Sequence, residues 1–481
     1  MKKKSVLLVE PDFPYPNKSK NKANHIHKNF VPIGLLKLGA LYKSSGNKVK
    51  LIRGIRSRSE IGFIPDQILI TSLFTYWSKY VWDSIAYYRQ EFPASNITIG
   101  GVYATLHNAT PKFQQLAKRY EVDVQIGIHP EAEKFLPDYS LIRNIDYHAT
   151  HMMRGCIRRC AFCGTWRIEP QRTNKSKNEI VDELKKVKKN RVIFFDNNLL
   201  ANPHIKEILN EFIWLRVNNK PMIFESQSGF DGRLLEHDPE LAVLIKKARF
   251  ENVRIAWDNG VSDKESIKKQ IELLVKAGYT PKDLSVFMIY NFDVPYEDMC
   301  KKIEYCGKLG VQITDCRYRP LELDYDNYNP HMRQGQPEGS FYIHTKAGWT
   351  DKKIRDFRIR VRKHNIWIRY AKDKGLTYDH RMEKWSAIHN LYKYFKLGRP
   401  PQLLLIENSG VIKKRIELLG KLRNYHKKFD ISPPDLSQLS NRKLDHFLEN
   451  LFKLKLESIE DKKCFLQKIN ANVIDVLVTH T

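Results

Sequence analysis

From Ser5 to Glu322 this 481-residue chain alternates short apolar runs with helix-period stretches, and no other feature limits its fold so strongly. Strands covered on both faces read as continuous apolar runs, and the segments between parallel strands must cross back over the sheet as helices. Ser5–Val9, Val49–Ile52, Gln67–Leu73, Ile97–Gly100 and Val122–Ile128 read as strands. A helix is expected from Pro32 to Lys43, with Ile33, Leu36 and Ala40 on one face and Gly46 as its stop, and another at Val81–Phe92. This predicts a doubly wound, flavodoxin-like parallel sheet whose ligand crevice lies at the strand carboxyl ends. From His151 the period lengthens. Strands are expected at Val192–Phe195, Met222–Ser226, Val253–Trp257, Leu284–Tyr290 and Gln312–Arg317, and helices at Asn178–Lys189, Ile205–Val217, Pro239–Lys247, Lys264–Ala277 and Tyr296–Leu309. A further strand leading into a group of cysteines makes six βα units. Past residue 330 the pattern changes: Tyr325–Gly339 is a polar loop, and the remainder is basic and mainly helical. Three domains are therefore expected, at 1–137, 148–324 and 340–481.

Cys156, Cys160 and Cys163 are spaced C-x3-C-x2-C within Met153-Arg-Gly-Cys-Ile-Arg-Arg-Cys-Ala-Phe-Cys-Gly-Thr-Trp166. Thiolates hold iron–sulfur clusters, and three of them leave one iron of a 4Fe-4S cluster open to a ligand. A structural zinc site would need a fourth donor, from His148 or His151 or from the distant Cys300, Cys306, Cys316 or Cys464. Disulfides fit poorly, because the seven cysteines are odd in number and three crowd into eight residues. The apolar run Val6–Val9 ends at Glu10-Pro11, too short for a secretory signal, and no stretch reaches the length of a membrane span. A soluble, cytoplasmic protein is expected.

The cysteine spacing, with aromatic Phe162 before the last thiol, resembles the radical S-adenosylmethionine (SAM) superfamily. The resemblance implies a partial (β/α)6 barrel over the six units, with function at the strand carboxyl ends. It also implies a 4Fe-4S cluster whose open iron chelates SAM, and an electron donor such as a reductase, flavodoxin or ferredoxin. Reductive cleavage would give methionine and a 5′-deoxyadenosyl radical that takes hydrogen from a substrate. By the same resemblance, backbone near Phe162 meets the adenine, with the Tyr290–Pro295 turn close by. Asp196 and Asn198 at the second strand end suit the SAM amino group, Glu225 and Gln227 at the third suit the ribose hydroxyls, and Asp258 ends the fourth. The bland use of each polar group is a cap or a turn. Arg254 and Arg319 could hold a carboxylate or phosphate through two bonds but read as surface salt-bridge residues, and Cys300, Cys306 and Cys316 read as small buried hydrophobes.

Leu7-Leu-Val-Glu-Pro-Asp12, Pro32-Ile-Gly-Leu-Leu-Lys-Leu38 and Gly100-Gly-Val-Tyr-Ala-Thr105 resemble the cobalamin-binding domain that precedes the barrel in one radical SAM branch. The loop after the first strand carries His25 and His27 but no D-x-H-x-x-G, and a Gly-Glu-Gly-Glu turn is replaced by Gly127-Ile-His-Pro-Glu-Ala-Glu133. His25, His27 and His129 read as plain loop histidines. Cobalamin thus stays an open cofactor, and the fold can persist as a scaffold without it. Thr350 can cap a basic helix to Lys374, stopped by Gly375, with Ile354, Phe357, Val361 and Ile368 as its apolar face. The net charge of +28 admits RNA, DNA or phosphorylated substrates as partners. The leading reading is a radical SAM enzyme of unknown substrate. RNA modification is one rival, and a non-catalytic, metal-stabilised nucleic-acid-binding protein is another.

Overall fold

The structure, a computed structural model, describes residues 3–15, 30–326, 341–370, 372, 388–397, 410–453, 461, 463, 464, 466 and 467. Packing divides the chain into two compact units, Met1–Arg358 and Ile359–Thr481. The first unit opens with a five-stranded parallel sheet made of β1 (Ser5–Glu10), β2 (Lys48–Arg53), β3 (Gln67–Ser72), β4 (Asn96–Gly101) and β5 (Val122–Gln125), in the spatial order β2-β1-β3-β4-β5. The chain runs from β1 outward to β2 and then returns past β1 to β3, so the strand order reverses beside β1. Period-two geometry explains why β1 is apolar throughout. Leu7 and Val9 join one core with Ile85, Tyr88 and Phe92, while Val6 and Leu8 join another with Leu35 and Leu69. Each such fully buried aliphatic stabilises the fold by about 1.5–3 kcal/mol.

Helices α1 (Ile33–Ser44) and α2 (Ser78–Glu91) flank this sheet, close to their expected bounds. Two further helices, α3 (Val102–His107) and α4 (Pro111–Arg119), precede β5 where the sequence reading placed none. The signal for α4 was present: Thr110 Oγ1 accepts Phe113 N, and Pro111 fills the first turn, where no amide donor is needed. A single turn, Pro130–Glu133, follows β5 and is capped by His129, whose Nδ1 accepts Ala132 N at 3.3 Å.

Six more parallel strands follow: β6 (Tyr147–Thr150), β7 (Arg191–Phe194), β8 (Ile223–Ser226), β9 (Arg254–Ala256), β10 (Ser285–Tyr290) and β11 (Gln312–Arg317). They form two three-stranded sheets, β6-β7-β8 and β9-β10-β11, bridged at Phe224–Phe250 and Phe230–Ile255. Stacked Phe194, Phe212, Phe224 and Phe250 fill the space beneath the first, with the Phe212 and Phe224 centroids 4.2 Å apart. The intervening helices are α5 (Lys177–Val187), α6 (Ile205–Trp214), α7 (Gly232–His237), α8 (Glu240–Lys247), α9 (Lys264–Lys276) and α10 (Tyr296–Leu309). The short α7 was not anticipated; Asp231 caps it by accepting Arg233 N. The strand ahead of the cysteines ends at Thr150, and the cysteines lie in the loop that leaves it, as expected.

Thr350 Oγ1 accepts Lys353 N at 3.2 Å and starts α11 (Asp351–Tyr370), on which Ile354, Phe357, Val361 and Ile368 are each no more than 2% exposed. Lys374 and Gly375 lie outside the described residues, as do His25 and His27. The second unit packs α12 (Gly410–Lys428) and α13 (Asn441–Lys453) through Leu418, Leu419, Leu422, Leu444, Phe447 and Leu448. Among the described residues, no helix is long and apolar enough to cross a membrane.

Candidate active site

The cysteine loop leaves the carboxyl end of β6 and is pinned at both sides. A two-residue ladder pairs Met153–Arg154 with Thr173–Asn174, and Gly155 then turns the chain with φ +74°. A side chain at Gly155 would meet Gln171 O at 2.9 Å, so both conformation and space demand glycine. Cys156, Cys160 and Cys163 follow as free, half-exposed thiols. Arg158 N donates to Cys156 Sγ at 3.3 Å, and Cys163 N to Cys160 O at 3.0 Å.

Beside this loop lies a cavity of about 510 Å³, lined by Cys160 and Phe162, by Asp231 and Arg233 after β8, by Asp258 after β9, and by the 292–295 turn after β10. The volume suits a small-molecule ligand. Phe162 meets Phe292 edge-on at 5.9 Å, so the cysteine loop and the β10 turn share one wall. Burial raises the Asp258 carboxyl above its ordinary range, opposed by the charges of Lys302 and Arg233. Lys302 is fully buried and donates to Trp257 O (2.6 Å) and Asn259 O (2.8 Å), fixing the turn that carries Asp258. Burial pushes its ammonium down to about 8, against the pull of Asp258.

The remaining sequence candidates divide into two kinds. Asp196 is fully buried, and its oxygens accept Met152 N (3.0 Å) and Met153 N (2.5 Å); it holds the root of the cysteine loop. Burial pushes its carboxyl up to about 7 despite those donors. Glu225 is also fully buried, accepting Arg254 Nη2 at 2.5 Å and Asn252 Nδ2 at 2.9 Å. Arg254 is thus an interior ion-pair partner rather than a surface one. Asn198 and Gln227 are different: among the described residues, Asn198 Oδ1 and Gln227 Oε1 are buried acceptors with no partner. They stand at the carboxyl ends of the adjacent β7 and β8. Neither residue lines the cavity beside the cysteine loop.

Of the two histidines offered as a fourth zinc donor, His151 keeps a buried Nδ1 with no hydrogen-bond partner among the described residues. His148 has both ring nitrogens engaged, by Tyr139 Oη at 2.8 Å and Glu183 Oε1 at 2.8 Å, and so offers zinc no lone pair. No three His, Cys, Asp or Glu side chains among the described residues converge on a single-ion site. A four-iron cluster makes no such demand, since each thiolate binds a separate iron. Cys306 is buried as expected, whereas Cys316 is exposed on β11, contrary to the sequence reading. The residues that sequence reasoning missed are Glu133, Arg154, Glu169, Asn197 and Lys302. Their partners lie far apart in sequence, and no local spacing marks them.

The sequence model of the Radical SAM superfamily matches residues 150–314. These residues form a radical SAM domain. The match begins at the end of β6 and runs into β11, taking in the cysteine loop and the carboxyl ends of β6 to β10. No curated protein matches the chain. Among solved structures, a variant carboxyl transferase domain of Rhizobium etli pyruvate carboxylase with pyruvate is 11% identical, covering 96% of this chain and 63% of its own, at a TM-score of 0.21. A second structure of that domain is 10% identical, with 95% and 63% covered and a TM-score of 0.20. The chain therefore spans less than two thirds of these proteins' length.

Proposed function

We propose that the protein is a radical SAM enzyme in which Cys156, Cys160 and Cys163 hold a 4Fe-4S cluster and the adjoining cavity receives SAM. The observation that carries this reading is the set of three free thiols on one loop at the carboxyl ends of parallel strands, opening onto a cavity bounded by Cys160, Phe162 and Asp258. When bound, the cluster and SAM supply reductive cleavage of a carbon–sulfur bond and hence a radical able to take hydrogen from a substrate. The chain's own part is to bind and orient. Phe162 with Phe292 forms an apolar wall of the cavity, suited to a planar ring. Asp258 lines the same cavity, where its carboxylate would attract a cationic ligand. In this reading the six strands β6–β11 are the partial barrel, and the N-terminal sheet is a doubly wound, flavodoxin-like domain.

Cobalamin is not part of the proposal. Above the ends of β1 and β3, Glu10 is bonded to Tyr15 Oη (2.7 Å) and Arg53, Phe13 stacks on Trp77, and Tyr15 stacks on Phe30. Among the described residues, these side chains pack on one another at the strand ends. His129 caps the turn after β5 through its Nδ1.

The test is anaerobic reconstitution with iron and sulfide. Cys156→Ala, Cys160→Ala and Cys163→Ala should each lose the cluster, and Cys464→Ala should keep it. The reduced wild type should convert SAM to 5′-deoxyadenosine. Wild-type iron in all three loop variants, or S-adenosylhomocysteine as the sole product, would overturn the reading.

A further inference from the structure

The N-terminal sheet and the cysteine loop are joined by an unbroken chain of polar contacts. It starts on α1, where Lys37 donates to Glu133 Oε1 at 2.8 Å. Glu133 also receives Arg154 through two parallel bonds, from Nε and Nη2, each at 2.9 Å. Arg154 Nη1 continues to Glu169 Oε1 at 2.7 Å, and Glu169 Oε2 accepts both Gly155 N (2.8 Å) and Asn197 Nδ2 (2.9 Å). Thr165 Oγ1 then donates to Asn197 Oδ1 at 3.1 Å and accepts from the Cys163 thiol at 3.2 Å. One end of the chain is an N-terminal-domain lysine. The other is the third cysteine.

Burial makes this chain more than surface decoration. The side chains of Lys37, Arg154 and Glu169 are 9%, 15% and 11% exposed, and Glu133 is 30% exposed. Exposed ion pairs contribute little, but a shielded two-pronged Arg–carboxylate pair fixes geometry as well as charge. Glu133 is the carboxylate that pairs with Lys37, and it shares Arg154 with Glu169. Its neutralisation would leave two shielded cations with one carboxylate between them. Burial raises and the Arg154 bonds lower the Glu133 carboxyl, with a net fall below its ordinary range, so the anion is the form present. Glu133 also ends the Gly127–Glu133 turn, the segment whose sequence departs from the cobalamin-branch pattern.

We propose that the N-terminal domain acts as a clamp on the cysteine loop, with Glu133 as a positioning residue that sets, through Arg154, Glu169, Asn197 and Thr165, how Gly155 and Cys163 are presented to the cluster. This rests on the cluster reading above. Partners one step removed from a ligating residue orient it and tune the metal, and cluster potential responds to hydrogen bonds at the sulfurs. A clamp that only glued two domains together would leave the cluster's electronic properties unchanged.

The experiment uses the full chain carrying Glu133→Gln, with Glu131→Gln as control, because among the described residues Glu131 pairs locally with Lys134. In the apo protein, amide exchange of a peptide spanning 153–164 should quicken about tenfold in Glu133→Gln, with peptides of β1 and β3 unchanged. After reconstitution, iron content should hold while the reduced cluster's electron paramagnetic resonance spectrum and midpoint potential shift, and SAM cleavage should fall about tenfold or more. Glu131→Gln should match the wild type in every readout. Unchanged loop exchange together with a wild-type spectrum and potential in Glu133→Gln would overturn the clamp. If Glu133→Gln fails to fold, Thr165→Val at the far end decides: a shifted potential supports the relay and an unmoved one overturns it. Wild-type protein that takes up no iron overturns the cluster reading instead, and apo exchange then still reports whether Glu133 holds the loop.

Discussion

Glu225→Gln separates a scaffold role from a ligand role at the mouth of the strands. Glu225 is fully buried and Arg254 is 8% exposed; their 2.5 Å contact is joined by Asn252 Nδ2 on the other oxygen. Arg254 also donates to Ser226 O (3.1 Å) and Gln227 O (3.2 Å), so the pair ties the ends of β8 and β9 together. Removing one partner of a buried ion pair costs about 3–5 kcal/mol, since the other charge stays in a poorly solvated place. The amide that replaces the carboxylate keeps one acceptor oxygen, which puts the substitution near the low end, about 3 kcal/mol. With a urea slope of about 3 kcal/mol/M the unfolding midpoint should fall by about 1 M. Glu225→Leu combined with Arg254→Met should recover part of that loss, because well-packed apolar replacements of a buried pair are often close to neutral. The assay is urea denaturation followed by tryptophan fluorescence, with equilibrium SAM binding measured on the reconstituted protein in buffer. SAM affinity should stay within about threefold of wild type. Stability within about 1 kcal/mol of wild type, coupled to a loss of SAM affinity of about a hundredfold, would refute the reasoning and return Glu225 to the ligand.

Two further outcomes follow from burial. Asp196 has its carboxyl raised from 3.8 to about 7, so the folded chain holds that proton more tightly than the unfolded chain; the stabilisation is complete below about pH 4 and is lost as pH rises through 7. Wild type should therefore lose urea stability relative to Asp196→Asn between about pH 4 and 8, and parallel pH profiles for the two would contradict this. Lys302→Met should loosen the Trp257–Asn259 turn, weakening SAM binding several-fold with iron content unaffected, whereas loss of iron would place Lys302 in the support of the cysteine loop.

Local periodicity carried much of the fold. A strand with both faces covered has to be apolar throughout, and a crossover helix has to repeat near every 3.6 residues, so β1, β3, β7, β10 and α10 were all legible as spacing. Helices α3 and α7 were not, because each is six residues long and too short to establish a period. The cysteine triplet was equally legible, since its three thiols fall within one short loop and need no tertiary contact to be recognised as a group. The sequence by itself therefore determined the order of strands, the cysteine loop and the superfamily of residues 150–314. Only the tertiary structure decided what the polar strand ends do. Asp196 and Asn198 are two residues apart, yet one is spent on the amides of Met152 and Met153 while the other keeps an unpaired acceptor. Glu225 and Gln227 divide in the same way. Composition cannot distinguish them, because the difference lies in partners 27 to 44 residues away in the chain. Those partners come within hydrogen-bonding reach only when parallel strands set their carboxyl ends side by side.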